Sequence, residues 1–77
     1  MERLVEAFAR ALVLDEAAVR VSRVVHEDVV VYEVDVSPED RGRFIGRRGQ
    51  TISALRTILD AVSERRGEEL CELEIVE

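Results

Sequence analysis

An α+β fold with element order α-β-β-α-α-β is predicted for this 77-residue chain, its three-stranded mixed sheet covered on one face by helices. Three observations predict it. Valine-rich alternation runs through residues 19–36 with one short polar break, two stretches repeat their apolar residues at helical spacing, and the chain closes on a third alternating segment. The length allows one domain, residues 1–77, with one modest core, and nearly half the residues are hydrophobic.

Residues 2–13 predict the first helix. Leu4, Val5, Phe8, Ala11 and Leu12 recur on one side, with Glu2, Glu6 and Arg10 between them. The stretch "LDEAAV" then turns the chain, and Asp15 suits the cap of a short helical turn. Residues 19–25, VRVSRVV, and 29–36, VVVYEVDV, read as strands joined by the polar reversal His26-Glu27-Asp28, an antiparallel hairpin. In the second strand Val30, Tyr32, Val34 and Val36 share one face.

Ser37-Pro38-Glu39-Asp40 predicts a helix start: a serine to cap free amides, a proline for the first position, and acids for the positive end of the dipole. Gly46 ends that short helix, and Phe44 and Ile45 anchor it to the core. From Gln50 to Arg66 a stripe of Ile52, Leu55, Leu59 and Val62, widened by Ala54, Ile58 and Ala61, predicts a long helix that Gly67 caps. In EELCELEIV, Leu70 competes for a face; the best alternation turns Cys71, Leu73 and Ile75 inward and Glu72 and Glu74 outward. Two intervening helices give a crossover long enough for this strand to run parallel to the second.

Charge is distributed unevenly. All eleven basic residues are arginines, and Arg41, Arg43, Arg47, Arg48 and Arg56 lie between Asp40 and Asp60 with no acid among them. The rest of the chain sets 17 acids against six arginines, although the formal net charge is only -6. A bound phosphate responds to local potential, so an acidic body with one positive loop leaves a single productive face.

Gly46-Arg47-Arg48-Gly49 joins the two helices. Glycine permits backbone angles and close approaches that a side chain forbids. The free amides and positive dipole end of the next helix lie beside the loop, so a phosphate there meets backbone donors and arginine charge together. Arg41 and Arg43 extend the track from the preceding helix and Arg56 from the following one. Each has a plainer reading: Arg41 or Arg43 pairs with Glu39 or Asp40, and Arg56 is a solvated helix residue. Phe44 and Tyr32 read as core residues rather than stacking platforms.

The element order and the segment "FIGRRGQTISALRTIL" resemble a KH domain of the second, bacterial-type topology (type II). With Ser37-Pro38-Glu39-Asp40, the Ile52/Leu55 stripe and the terminal "LEIVE", the resemblance covers essentially the whole chain and points to the small single-domain, KhpA-like KH RNA-binding proteins of bacteria. It implies that about four single-stranded RNA nucleotides sit in a narrow cleft. One wall would be the GxxG loop and flanking helices, the other strand 29–36 and a variable loop, here residues 26–28. The RNA-binding residues so implied are Arg41, Arg43, Ile45, Gly46, Arg47, Arg48, Gly49, Gln50 and Arg56. It also implies homodimers or a complex with a larger KH- and R3H-containing partner, and work in RNA chaperoning or post-transcriptional regulation.

Other classes find little support. The loop lacks the Gly-Lys-Ser/Thr ending of a nucleotide-phosphate cradle, so no enzyme and no cofactor are expected. His26 stands alone between acids without a metal-ligand set, and Cys71 lacks a base partner and packs in the last strand. No signal-peptide layout or membrane-length segment is present, which predicts a cytoplasmic protein with no membrane insertion. The competing function is a protein-interaction or dimerisation module. In it the first helix exposes Val5, Ala9 or Val13, the acidic sheet face meets a basic partner, or the GxxG region forms a protein interface.

Overall fold

The computed structural model describes residues 1–67 and 71–76. Helix α1 (Glu2–Leu12) leads through a 3-10 turn (Glu16–Ala18) into strands β1 (Arg20–His26) and β2 (Val29–Asp35). A second 3-10 turn (Pro38–Asp40) opens α2 (Arg41–Ile45), and a third (Arg47–Gly49) opens α3 (Gln50–Arg66); β3 (Cys71–Ile75) completes the order α-β-β-α-α-β. The predicted order and mixed sheet are those observed, with boundaries moved by a residue or two. The expectation for Leu70 lies outside the described residues.

The sheet order is β1-β2-β3. β1 pairs antiparallel with β2, Val21 facing Val34 and Val25 facing Val30, while β2 pairs parallel with β3, Tyr32 facing Leu73. A two-residue turn suffices between β1 and β2, and Glu27 enters it at φ 56°. The β2–β3 link needs the crossover that α2 and α3 provide.

The inward face of β2 is the floor of the core. Val30, Tyr32 and Val34 are buried there with Val36 just beyond the strand, and Leu73 joins them from β3. Cys71 and Ile75 are half-buried on the same face, and Glu72 and Glu74 are exposed, as the alternation predicts. Phe44 from α2 is wholly buried, and Ile52, Leu55 and Leu59 from α3 close the layer.

Both helical stripes differ in detail from the prediction. In α1 the seam is Val5 and Ala9, with Leu4, Phe8 and Leu12 flanking it and Ala11 outside. Val5, Ala9 and Val13 are therefore core residues, not the exposed surface that a protein-interaction reading would use. Ala9 is central because a methyl side chain lets the helix lie close to the sheet. In α3 the seam is narrower: Ala54, Ile58 and Ala61 are exposed, and Ser63 is buried instead. A serine can occupy that place because its Oγ lies 3.1 Å from Cys71 Sγ. Gly67 caps α3 as predicted, at φ 66° with its amide donating to the Glu64 carbonyl at 3.1 Å.

Candidate nucleic-acid interface

The arginine loop is set by its two glycines. Gly46 ends α2 by donating its amide to the Gly42 carbonyl at 2.8 Å, then turns at φ 79°, ψ 170°, a conformation that is essentially glycine's alone. A Cβ at this position would also collide with the side chain and backbone of Thr51, 2.7 Å from its nitrogen. Gly49 is left-handed at φ 73°, but the space around its missing Cβ is open. Between them Arg48 is held left-handed at φ 56°, ψ 26°, uncommon for a residue with a side chain.

Inside the loop the Gly49 amide donates to Gly46 and the Gln50 amide to Arg47. Those two donors, expected to meet a phosphate, are engaged within the turn. An anion here is met first by Arg47 and Arg48, both exposed, with Gln50 exposed beside them. Ile45 is half-buried beneath the loop and packs against the core.

The arginines before the loop behave differently. Arg43 pairs through Nε with Asp40 Oδ1 at 3.3 Å, the plainer of its two predicted readings, although its side chain stays about half exposed. Arg41 is half-buried, and its Nε is buried with no hydrogen-bond partner.

Asp40, which sequence reasoning treated as a helix-start acid, is a structural hub. Its buried carboxylate accepts the amides of Leu14 at 3.1 Å and Asp15 at 3.0 Å, and the Ser37 hydroxyl at 3.1 Å. The amide of Asp15, then that of Leu14, hold its pKa below the usual carboxylate value; burial opposes them, and Ser37 and Arg43 reinforce them. Two predicted caps are corrected here. Ser37 gives its hydroxyl to Asp40 instead of accepting a helix amide, and Asp15 makes no side-chain cap, only its carbonyl serving the turn by accepting the Ala18 amide.

Arg56 is placed at a second feature. A groove of about 300 Å³ runs between α3 and β3, lined by Arg56, Asp60, Cys71, Glu72, Leu73 and Glu74. The Arg56 guanidinium spans it, donating from Nε at 3.2 Å and Nη2 at 2.9 Å to the Leu73 carbonyl. Arg56 follows Gln50 by six residues, ~9 Å along the helix axis from the loop.

This corrects the expected cleft. Strand 29–36 cannot be its wall, because β2 is central and hydrogen-bonded on both sides; β3 has the free edge beside α3. The turn at 26–28 lies in the β1–β2 hairpin and does not line the groove. Of the six groove residues only Arg56 was among the predicted site residues; Asp60, Cys71, Glu72, Leu73 and Glu74 were passed over, and the one signal for Asp60 was its place one helical turn beyond Arg56.

Against known proteins, residues 2–75 match the family model described as KhpA/KhpB, KH domain. The chain belongs to the KhpA/KhpB KH-domain family. A relative from Clostridium perfringens named RNA-binding protein KhpA is 40% identical over 63 residues, covering 82% of this chain and 84% of its own. Proteins of the same name from Aquifex aeolicus and Listeria monocytogenes are 39% and 32% identical over 77 residues, covering all of this chain and 96% and 100% of theirs. No solved structure gave a significant match. The α-β-β-α-α-β order with a GxxG turn between α2 and α3 is the type II KH arrangement. Among the described residues, no group of three or more His, Cys, Asp or Glu is placed to hold a metal ion. No described helix is long and apolar enough to cross a membrane.

Proposed function

We propose that this protein binds short single-stranded RNA, with phosphates at residues 46–49 and bases in the groove between α3 and β3. The observation that carries the reading is the loop itself: two exposed arginines fixed between glycines at the start of a 17-residue helix, in an otherwise acidic chain. Ile45, Gly46, Gly49 and Gln50 build and flank this site, Arg47 and Arg48 contact the phosphates, and Arg41, Arg43 and Arg56 extend the positive path. The relatives' name, RNA-binding protein KhpA, supports the same reading.

In the cell this activity serves as a cytoplasmic RNA chaperone or post-transcriptional regulator, within one domain spanning residues 1–77 and without a cofactor. A homodimer, or a complex with a KH- and R3H-containing protein, has a surface available on α3, where Ile58 is 42% exposed beside Ala54 and Ala61. That patch also favours the competing reading, in which the GxxG region and its helix form a protein interface.

Labelled single-stranded RNA is titrated with wild type and with Arg47→Asp/Arg48→Asp at two salt concentrations, and light scattering checks fold and oligomeric state. Binding that salt weakens and the folded variant loses is the expected result. Equal binding by both proteins rejects the loop as the site. A stable protein complex without RNA affinity favours the protein-interface reading.

A further inference from the structure

The free edge of β3 has an unusual polarity that follows from its register. In a parallel ladder alternate residues direct both backbone groups toward the neighbouring strand. Val76 donates its amide to Val34 at 2.8 Å, so Glu74 and Glu72, two and four residues back, also direct their backbone groups toward β2. Leu73 therefore points its amide and carbonyl outward into the groove. Its carbonyl is occupied by two donors from Arg56, and its amide is left facing the ligand side.

An open strand edge normally offers a donor and an acceptor side by side. Here the acceptor is covered by a group that is itself all donor, since a guanidinium carries five N–H bonds and no lone pair for acceptance. The Nη1 hydrogens and one on Nη2 remain beyond those bound to Leu73. Resting on the RNA-binding reading above, we infer that Arg56 makes this edge donor-only and so sets base preference. The nucleotide facing Leu73 is one with two adjacent acceptors, guanine through O6 and N7 or cytosine through N3 and O2, rather than adenine.

Adenine pairs an N6 amine with a single neighbouring acceptor on either hydrogen-bonding edge, the pattern that an uncovered amide-and-carbonyl edge would match. Asp60 contributes an acceptor to the groove, but adenine, cytosine and guanine all carry an exocyclic amine. A comparison among those three therefore isolates the acceptor pair. Glu72 and Glu74 also line the groove, and their carboxylates, like that of Asp60, can accept only from an exocyclic amine that all three bases carry, so they bear on affinity rather than on this choice.

The test uses labelled heptamers UUUXUUU with X as G, C or A, titrated by fluorescence anisotropy against wild type, Arg56→Met, and Arg47→Asp/Arg48→Asp. Wild type is expected to bind the G and C heptamers about fivefold more tightly than the A heptamer. Methionine keeps the aliphatic stem and uncovers the Leu73 carbonyl, so in Arg56→Met that ratio falls to about one or reverses. If wild type binds A as tightly as G and C while the loop variant loses all binding, base selection by Arg56 is wrong and the RNA-binding site stands. An unchanged ranking in folded Arg56→Met also overturns the inference. If wild type binds no heptamer, both readings fall. Should Arg56→Met fail to fold, the wild-type ranking alone decides.

Discussion

At the residue scale, the loop glycines differ in what they are for. Gly46 combines a backbone region closed to other residues with a Cβ direction blocked by Thr51, whereas Gly49 has positive φ but open space. Gly46→Ala must shift the backbone at the start of α3, at a cost on the order of 2–4 kcal/mol. Gly49→Ala meets only the left-handed penalty, about 1–2 kcal/mol. In a chain this short about 1 kcal/mol moves Tm by roughly 4–8 °C, so thermal unfolding by circular dichroism separates the two variants. Equal losses would mean that the Thr51 contact is relieved cheaply. Arg48 supplies the complementary case. Its left-handed backbone suits glycine better, so Arg48→Gly is expected to stabilise by up to about 1 kcal/mol while weakening RNA binding. A variant that gains stability and keeps full affinity would remove Arg48 from the site.

At the element scale, the Asp40 carboxylate joins the segment after α1 to the start of α2, 25 and 26 residues apart in sequence. Since its folded pKa is lowered, the unfolded chain binds the proton more readily. The stabilisation is therefore complete above the unfolded value of about 3.9 and is lost as pH falls through the lower folded value. Asp40→Asn should unfold at a lower temperature than wild type at pH 7, and the gap should narrow by pH 3. A gap constant with pH would show that the charge contributes nothing beyond shape. Asp40 also marks where the sequence stopped being legible. The six elements, the loop and the inward faces of β2 and β3 follow from spacing and turn residues, which are local signals. Ser37 and Arg43 are local partners of Asp40, but the Leu14 and Asp15 amides that it accepts and the Leu73 carbonyl that binds Arg56 are backbone groups of distant segments, which side-chain identity does not encode. The groove wall was misplaced for the same reason: alternation identifies a strand, but only the crossover makes β2 central and leaves β3 at the edge. The α3 stripe was read too wide because Ile58 is apolar yet exposed, and apolar residues also occupy surfaces.

At the scale of the whole molecule, the charge is sorted by face. The arginine loop is at the α2–α3 junction, while Glu33 and Asp35 belong to the sheet face that no helix covers. Two opposing salt effects follow. On the proposed reading, phosphates held by Arg47 and Arg48 release counterions, which gives a slope of log Kobs against log salt of about -1.4 for two contacts on a single strand. The acids behind the sheet repel RNA from a greater distance, and salt weakens that repulsion. The screening length decides between them: ~30 Å at 0.01 M salt spans the molecule, and ~10 Å at 0.1 M does not. Direct contacts therefore control the slope near physiological salt, and the acidic face acts only in dilute buffer. Glu33→Gln/Asp35→Asn, remote from loop and groove, is expected to tighten RNA binding about twofold at 0.01 M salt and to leave it unchanged at 0.15 M. Isothermal titration or anisotropy at both concentrations reads this directly. A gain that persists at 0.15 M would place RNA against the sheet face, and no gain at either salt would show that the body's charge is not felt at the loop.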